Sequence, residues 1–528
     1  PIMSLEEMNS IAKGASEAEC PSKALHEDTS GMIAIDDVSG QRLDPRLMVQ
    51  ARKEEIQYFR DMGVYEKVDI SEAWSETGKA PIATRWVDIN KGDSANPNYR
   101  SRLVAKEFNT GVMPELYAAT PPSECLRLML SMTASGRKQD VSLMYADVSR
   151  AYFYAKAVRP VYVKLPAEDI ESGDTGKCGK LKMSMYGTRD AALNWSLEYA
   201  ETLRAGGYVQ GKSNPCLFHN VKLGVSVMVH GDDFVAVGPR QHLVETRSTL
   251  ESKYKLKVET LGNEKGDSSE LRILNKVVRA TPVGIELEAD PRHAELVVKE
   301  LNLENAKPSS VPGSKGSSSS DTPKKSTATA SRHTRARIAI ESEVSSIESA
   351  TKSAGEDQWD EPEEEIEVKG DESEEELDAA GAKLYRSVAA RLNYLSPDRA
   401  DIGYAVKEAA RNMSAPKVSD LRRLRKIGKY LLGRPRLVSL FKFQDMPSTI
   451  TAFTDSDWAG CARSAKSTSG GAVCIGEHVI KAYCKQQKVI ALSSAEAELY
   501  AMVAASAETL ALQAYAKDLG LDFGCELY

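Results

Sequence analysis

The chain has 528 residues, 41% hydrophobic and 27% charged, the composition of a globular protein long enough for roughly two to four domains. No apolar run approaches the roughly 18 residues needed to span a bilayer, and the opening PIMSLEEMNSIAKG lacks the basic-then-apolar order of a secretory signal, so neither membrane insertion nor export is expected. The net charge of −7 is uneven: 17 acidic and 2 basic residues lie between Glu341 and Asp378, which leaves the remainder mildly basic and compatible with a nucleic-acid partner. The eight cysteines form no CxxC pair and the seven histidines are dispersed, which argues against a zinc module or a disulfide scaffold and fits a reducing, intracellular setting. A chain that opens on Pro is expected to be a piece of something longer.

In chain order, residues 1–43 are polar and weakly patterned and are expected to be poorly ordered. A helix is expected from about Asp44, with Leu47, Ala51, Ile56 and Phe59 on one face. TRWVDI and SRLVAKEF read as two strands joined by a turn-rich KGDSANPN, and SECLRLMLSMTAS as a helix with Leu126, Met129, Leu130 and Thr133 on its apolar face. VSLMYADV is a strand ending in an acid, and VYVKL a further strand. LNWSLEYAETLRAG is a helix stopped by Gly206-Gly207. GVSVMVHGDDFVAVG has the form of a hairpin with a polar tip. Residues 309–380, rich in Ser, Thr and Lys and then Glu, cannot bury enough apolar surface to offset ordering entropy and are expected to be disordered, an inert solvated spacer. Helical spacing returns at Leu384, Val388, Leu392 and Leu395, and again at Leu421, Leu424, Ile427 and Leu431. ITAFTDSDWAG, GGAVCIG and VIKAYCKQ read as strands, and Glu496 to Asp518 as a long Ala-rich helix.

Three acids stand out. Asp147 ends a strand, and Asp232 and Asp233 sit at the hairpin tip. Brought together, carboxylates on adjacent backbones can hold two divalent cations that activate a 3′-hydroxyl and stabilise a leaving pyrophosphate. Mg²⁺, or Mn²⁺ in its place, suits carboxylate and phosphate oxygens.

The ordered series RWVDIN…NYRSRLVAKEF, YADVSRAYFYA, LKMSMYGTRDAALNW, NPCLF and VMVHGDDFVAVG resembles the polymerase region of copia-type LTR retrotransposon Pol polyproteins. The resemblance implies an α+β fold of fingers and palm around an antiparallel sheet over residues 44–308, with a short thumb-like region. It implies an RNA-directed DNA polymerase with Asp147, Asp232 and Asp233 as catalytic metal ligands. Tyr152 falls at the position of an aromatic gate against the ribose 2′ group, Tyr186 and Gly187 in a template-and-nucleotide motif, and Arg102 and Lys106 where long cationic side chains suit nucleotide phosphates. Two departures bear on this. His230 and Gly231 replace an aromatic and a Val, and Gly231 is expected to loosen a strand that should be rigid.

After the insert, LYRSVAARLNYLSPDRADIGYAVKEAARNMSAP is similar to the family's connection (residues 381–445). TDSDWAGCARSAKSTSGG and ALSSAEAELYAM are similar to its RNase H domain (446–528). The matching metal positions are Asp455 and Glu498, in preference to Asp457 and Glu496. The third carboxylate is expected on a strand after Tyr528, so the domain reads as C-terminally truncated and without RNase H activity. The implied partners are an RNA template, a DNA primer and deoxynucleoside triphosphates, with no membrane, in a cytoplasmic particle or the nucleus. A catalytically degenerate relic of the same element that at most binds nucleic acid is the rival. An interaction protein whose acidic tract recruits basic partners is opposed by the ordered motifs.

Overall fold

The computed structural model describes residues 34–93, 96–108, 116–136, 140–313, 375–461 and 464–528. The chain forms two compact units, one of Pro1–Ala118 with Arg150–Glu201 and one of Ala119–Ser149 with Thr202–Tyr528. Among the described residues no helix is long and apolar enough to cross a membrane.

In the first unit, helix α1 (Pro45–Asp61) starts where the sequence places it: the Asp44 side chain accepts from Arg46 N and Pro45 occupies the first turn. Its buried positions are Met48, Ala51, Glu55, Ile56 and Phe59. Leu47, expected among them, is exposed, because the stripe runs 48–51–55–59 at steps of three and four. The helix packs on β2 (Tyr99–Ala105), which pairs antiparallel with β1 (Thr84–Asn90) in the register Thr84↔Ala105 to Asn90↔Tyr99. Residues 34–43, expected to be poorly ordered, fold back on β1: Asp36 accepts from Asn90 N at 2.7 Å and Asp37 from Asp88 N at 2.8 Å. Residues 1–33 lie outside the described residues. A small sheet of Tyr65–Asp69, Lys177–Leu181 and Tyr162–Val163 completes the unit. VYVKL thus contributes only a two-residue strand.

In the second unit, helix α2 (Ser123–Ser135) is buried at every position from Cys125 to Ser135. The spacing of Leu126, Met129, Leu130 and Thr133 predicts a single apolar face. The helix has none exposed because strands from several sheets contact it, and its Leu126, Leu128, Met129 and Leu130 join one core with Ile450, Val473, Ile480 and Leu512. Strands β3 (Val141–Val148), β4 (Val225–His230), β5 (Asp233–Pro239) and β6 (Leu256–Leu261) form a sheet in the order β6-β3-β5-β4, continued by Leu217–Asn220 and Val209–Gln210. All its pairings are antiparallel.

A four-stranded sheet of Glu270–Ile273, Lys276–Ala280, β7 (Gly284–Ala289) and β8 (Val438–Lys442) joins sequence from both sides of the acidic insert. So does the helical core, in which Val297 of α3 (Arg292–Glu300) packs with Val388 and Leu392 of Ala379–Leu395 and Leu424 and Ile427 of α4 (Val418–Gly433). The chain stays ordered closer to the insert than expected. Ser309 N donates to Lys429 O, Leu377 N to Pro416 O and Val418 N to Glu375 O. The expectation of disorder otherwise falls on 314–374, outside the described residues.

The last sheet contains β9 (Thr449–Asp457), β10 (Thr468–Ile475) and β11 (His478–Gln486). It is crossed by helix α5 (Ser494–Asp518) and completed by β12 (Gly524–Leu527) in the order β11-β10-β9-β12. β12 is parallel to β9, with Gly524 opposite Thr449 and Leu527 opposite Ala452. The sequence pattern does not predict this strand at Gly524–Leu527.

Two measurements test this architecture. Because β8 pairs with β7 and α4 packs on α3, a chain cut between 314 and 374 should remain one particle by gel filtration; separation of the halves would contradict the shared sheet. The second concerns His478, which is fully buried. Its Nε2 donates to Lys442 O at 2.7 Å, so Nδ1 is left to accept from Ser131 Oγ at 2.8 Å and Gln444 Nε2 at 3.1 Å. Burial lowers its pKa, against the Lys442 carbonyl and Glu477, which raise it. An unfolded His takes a proton at about pH 6.5 that the native ring resists, so stability falls as pH drops below that value. His478→Gln should melt with a flatter pH dependence between pH 7.5 and 5; an identical slope would contradict the buried neutral ring.

Candidate active site at a strand end and a hairpin tip

Register alone assembles the acids. Asp233, first residue of β5, lies opposite His230 of β4 on one side and Asp147 of β3 on the other, and Asp147 lies opposite Lys257 of β6. Directly opposed residues point to the same face, so His230, Asp233, Asp147 and Lys257 form one transverse row. Asp232 occupies the turn beside it. Oxygens of Asp147, Asp232 and Asp233 lie within 4.8 Å of one another, and all three residues are half-buried.

The β4–β5 turn is made by two residues, Gly231 and Asp232. Gly231 has φ 65°, the left-handed value needed at the first central position of a tight II′ hairpin turn. The expectation that it loosens a strand is overturned: β4 ends at His230, and at Gly231 the missing β-carbon removes strain where the chain reverses.

The electrostatics are those of crowded like charges. Burial, with the neighbouring Asp232 and Asp147 charges, pushes the Asp233 carboxyl up to about 6. Tyr145 O–H donates to Asp233 Oδ1 at 2.5 Å and, with His230, pulls the other way. A half-buried cluster of three carboxylates that repel one another fits hard divalent cations, which take oxygen ligands and remove the repulsion. Tyr145 and Lys257 are absent from the motif reading, because their place follows from cross-strand register. Lys257 is largely exposed, with its ammonium 3.0 Å from Glu259.

The nucleotide candidates gather separately, in the first unit. The Tyr152 and Tyr186 ring centroids lie 4.7 Å apart, and the Arg102 guanidinium lies 4.7 Å from the Tyr186 ring centroid. Gly187 has φ 84°, and a β-carbon there would sit 2.1 Å from Ala105 O, so only glycine lets this turn close on β2. Lys106 is exposed, and its backbone N–H donates to Ala83 O. Arg100, which the motifs did not single out, lies close to two other cations: burial, with Arg102 and Arg150, lowers its pKa.

Asp455 is exposed on β9 opposite Gly470, and Asp457 two residues on is opposite Thr468. Glu498 is half-buried on the first turns of α5. Glu496 is engaged in capping: its N–H donates to Ser493 Oγ, and its carboxylate accepts from Leu492 N at 2.7 Å. Among the described residues, Asp455 and Glu498 belong to no group of three or more metal-ligating side chains; Asp147, Asp232 and Asp233 do.

A family model described as reverse transcriptase (RNA-dependent DNA polymerase) matches residues 65–315, which include all three acids. The retrovirus-related Pol polyprotein from transposon RE1 of Arabidopsis thaliana is 25% identical over 493 residues, covering 90% of this chain and 29% of that protein. That from transposon TNT 1-94 of Nicotiana tabacum is 23% identical over 484 residues, covering 90% and 32%. Residues 65–315 thus match the reverse-transcriptase family, and 90% of the chain is similar to retrovirus-related Pol polyproteins of transposons. The chain spans under a third of the length of these Pol relatives. The solved prototype foamy virus protease–reverse transcriptase is similar over 87% of this chain and 45% of that one, at 12% identity and a TM-score of 0.25.

Within this reverse-transcriptase relative, the charge crowding has a measurable consequence. Asp233→Asn keeps the shape and the acceptor for Tyr145 while removing one of three repelling charges. In EDTA the variant should melt above the parent chain, and Mg²⁺ should raise the parent's melting temperature more than the variant's. A lower melting temperature for Asp233→Asn in EDTA would contradict the repulsion.

Proposed function

We propose that the chain is an RNA-directed DNA polymerase that extends a DNA primer on an RNA template with deoxynucleoside triphosphates. The convergence of Asp147, Asp232 and Asp233 on a strand end and a two-residue turn carries this reading. These three carboxylates would hold Mg²⁺ or Mn²⁺, and that charge, when bound, activates the primer 3′-hydroxyl and offsets charge on the leaving pyrophosphate. Tyr145 orients Asp233 through its hydroxyl. Lys257 supplies a cation on the same face of the sheet, and Arg102, Arg100 and Lys106 supply guanidinium and ammonium groups for the triphosphate. Tyr152, backed by Tyr186, crowds the 2′ position of a ribonucleotide. The assignment of residues 44–308 to polymerase and 446–528 to an RNase H-like domain, with Asp455 and Glu498 as its metal pair, belongs to the same proposal. So does an intracellular site of action.

The rival reading, a degenerate relic, drew support from His230 and Gly231. The fit of Gly231 to its turn weakens that support. Primer extension on an RNA template, in Mg²⁺ and then in Mn²⁺, separates the two readings. Asp232→Asn should abolish extension while leaving template binding nearly unchanged, because binding rests mainly on phosphate contacts. Extension by Asp232→Asn at the parent rate would remove this site from the mechanism, and no extension by the parent chain in either metal would favour the relic.

A further inference from the structure

Three residues of α1 meet a single turn. Glu55, Tyr58 and Phe59 stand at i, i+3 and i+4 and so share a helix face. The Glu55 carboxylate accepts from Arg150 Nε at 2.7 Å. The Arg150 guanidinium lies 3.5 Å over the Tyr58 ring, and the Phe59 ring meets Phe153 edge-on at 4.8 Å. Tyr152 stands between these two anchors, in the short helical turn Ala151–Tyr154 that Arg150 opens. Arg150 has φ 55°, a left-handed conformation that a residue with a β-carbon keeps only when its surroundings impose it.

Glu55 is the group placed to impose it. The residue is 1% exposed, on a helix face otherwise lined by Met48, Ala51, Ile56 and Phe59, where an apolar side chain would cost less to bury. Burial raises its carboxyl pKa, while Arg150, Arg100 and Arg102 favour the charged form. Its Oε1 is buried with no hydrogen-bond partner among the described residues, so the bond from Arg150 is the directed contact this side chain makes.

We propose that Glu55 is a positioning residue for sugar selection: through Arg150 it fixes the turn that sets where the Tyr152 ring stands, and thereby the preference for deoxy- over ribonucleotides. The inference rests on the polymerase reading above. Helix α1 ends before residue 65, where the family match begins, so this support comes from outside the matched span.

The test uses the full chain with Glu55→Gln, Glu55→Asp, Arg150→Ala, the double variant Glu55→Gln/Arg150→Ala, and Tyr152→Ala as control. Single-nucleotide primer extension gives the ratio of kcat/KM for deoxy- over ribonucleotide. Glu55→Gln should lower that ratio about tenfold, the scale of losing one charge-assisted hydrogen bond. Arg150→Ala should do the same, and the double variant no worse, because both act through one contact. Glu55→Asp should recover part of the loss. Amide hydrogen exchange, which needs no activity, should quicken at 150–154 in Glu55→Gln while α1 stays protected. A ratio unchanged in Glu55→Gln but lowered in Tyr152→Ala overturns the inference and leaves the polymerase reading standing. Equal loss for both sugars, or unchanged exchange at 150–154, also overturns it. No extension by the parent chain in Mg²⁺ or Mn²⁺ overturns both.

Discussion

Mutual repulsion among three carboxylates is the constraint around which the central sheet is organised. Each acid alone would seek water, yet two antiparallel pairings flank Asp233 and hold it against Asp147, while a two-residue turn adds Asp232 beside them. The rows behind the acids explain how a sheet can hold such charges. Val235 and Val237 of β5 and Leu143 of β3 are buried on the acids' face, and Phe234, Ala236 and Met144 on the other, so a slip by one residue would exchange two core faces of different shape and break the packing on both. Burial that stabilises the strands is thus what keeps the acids crowded, and an acceptor for a divalent cation follows from the same packing.

A second dependence runs through α2. A helix buried on every side cannot belong to one layer, and its residues join a core that includes β9, β10, β11 and α5. Arg127 of α2 donates to Val479 O, and Ser131 bonds the buried His478. Sequence segments that resemble separate domains therefore share one hydrophobic core in the second unit. Residues before and after the acidic insert likewise pair in one sheet and pack in one helical core.

The first unit shows how a short sequence motif can lean on sequence far from it. Tyr152, Tyr186 and Arg102 form a contiguous stack, and Gly187 lets the chain close on β2 without a clash. The turn that bears Tyr152 is anchored on α1, a helix whose carboxylate, phenol and phenyl groups at 55, 58 and 59 all reach it.

Much of this was legible in the sequence. The hairpin tip, the strand ending in Asp147 and the helix starting after Asp44 are written in local patterns, because alternation and capping act over a few residues. The order of the motifs was enough to single out Asp147, Asp232 and Asp233. Tertiary structure alone decided that Lys257 and Tyr145 share the face of those acids, because cross-strand neighbours are distant in sequence and equal in local pattern to any exposed Lys or half-buried Tyr. It also decided that α2 has no exposed face, that Met48 replaces Leu47 in the core, and that a strand begins at Gly524. Each depends on which surfaces the rest of the chain brings up, and no window of sequence contains that information. Gly231 shows the division most plainly: its identity suggested a weakened strand, and only the position of the turn, one residue after β4 ends, gave its positive φ a use.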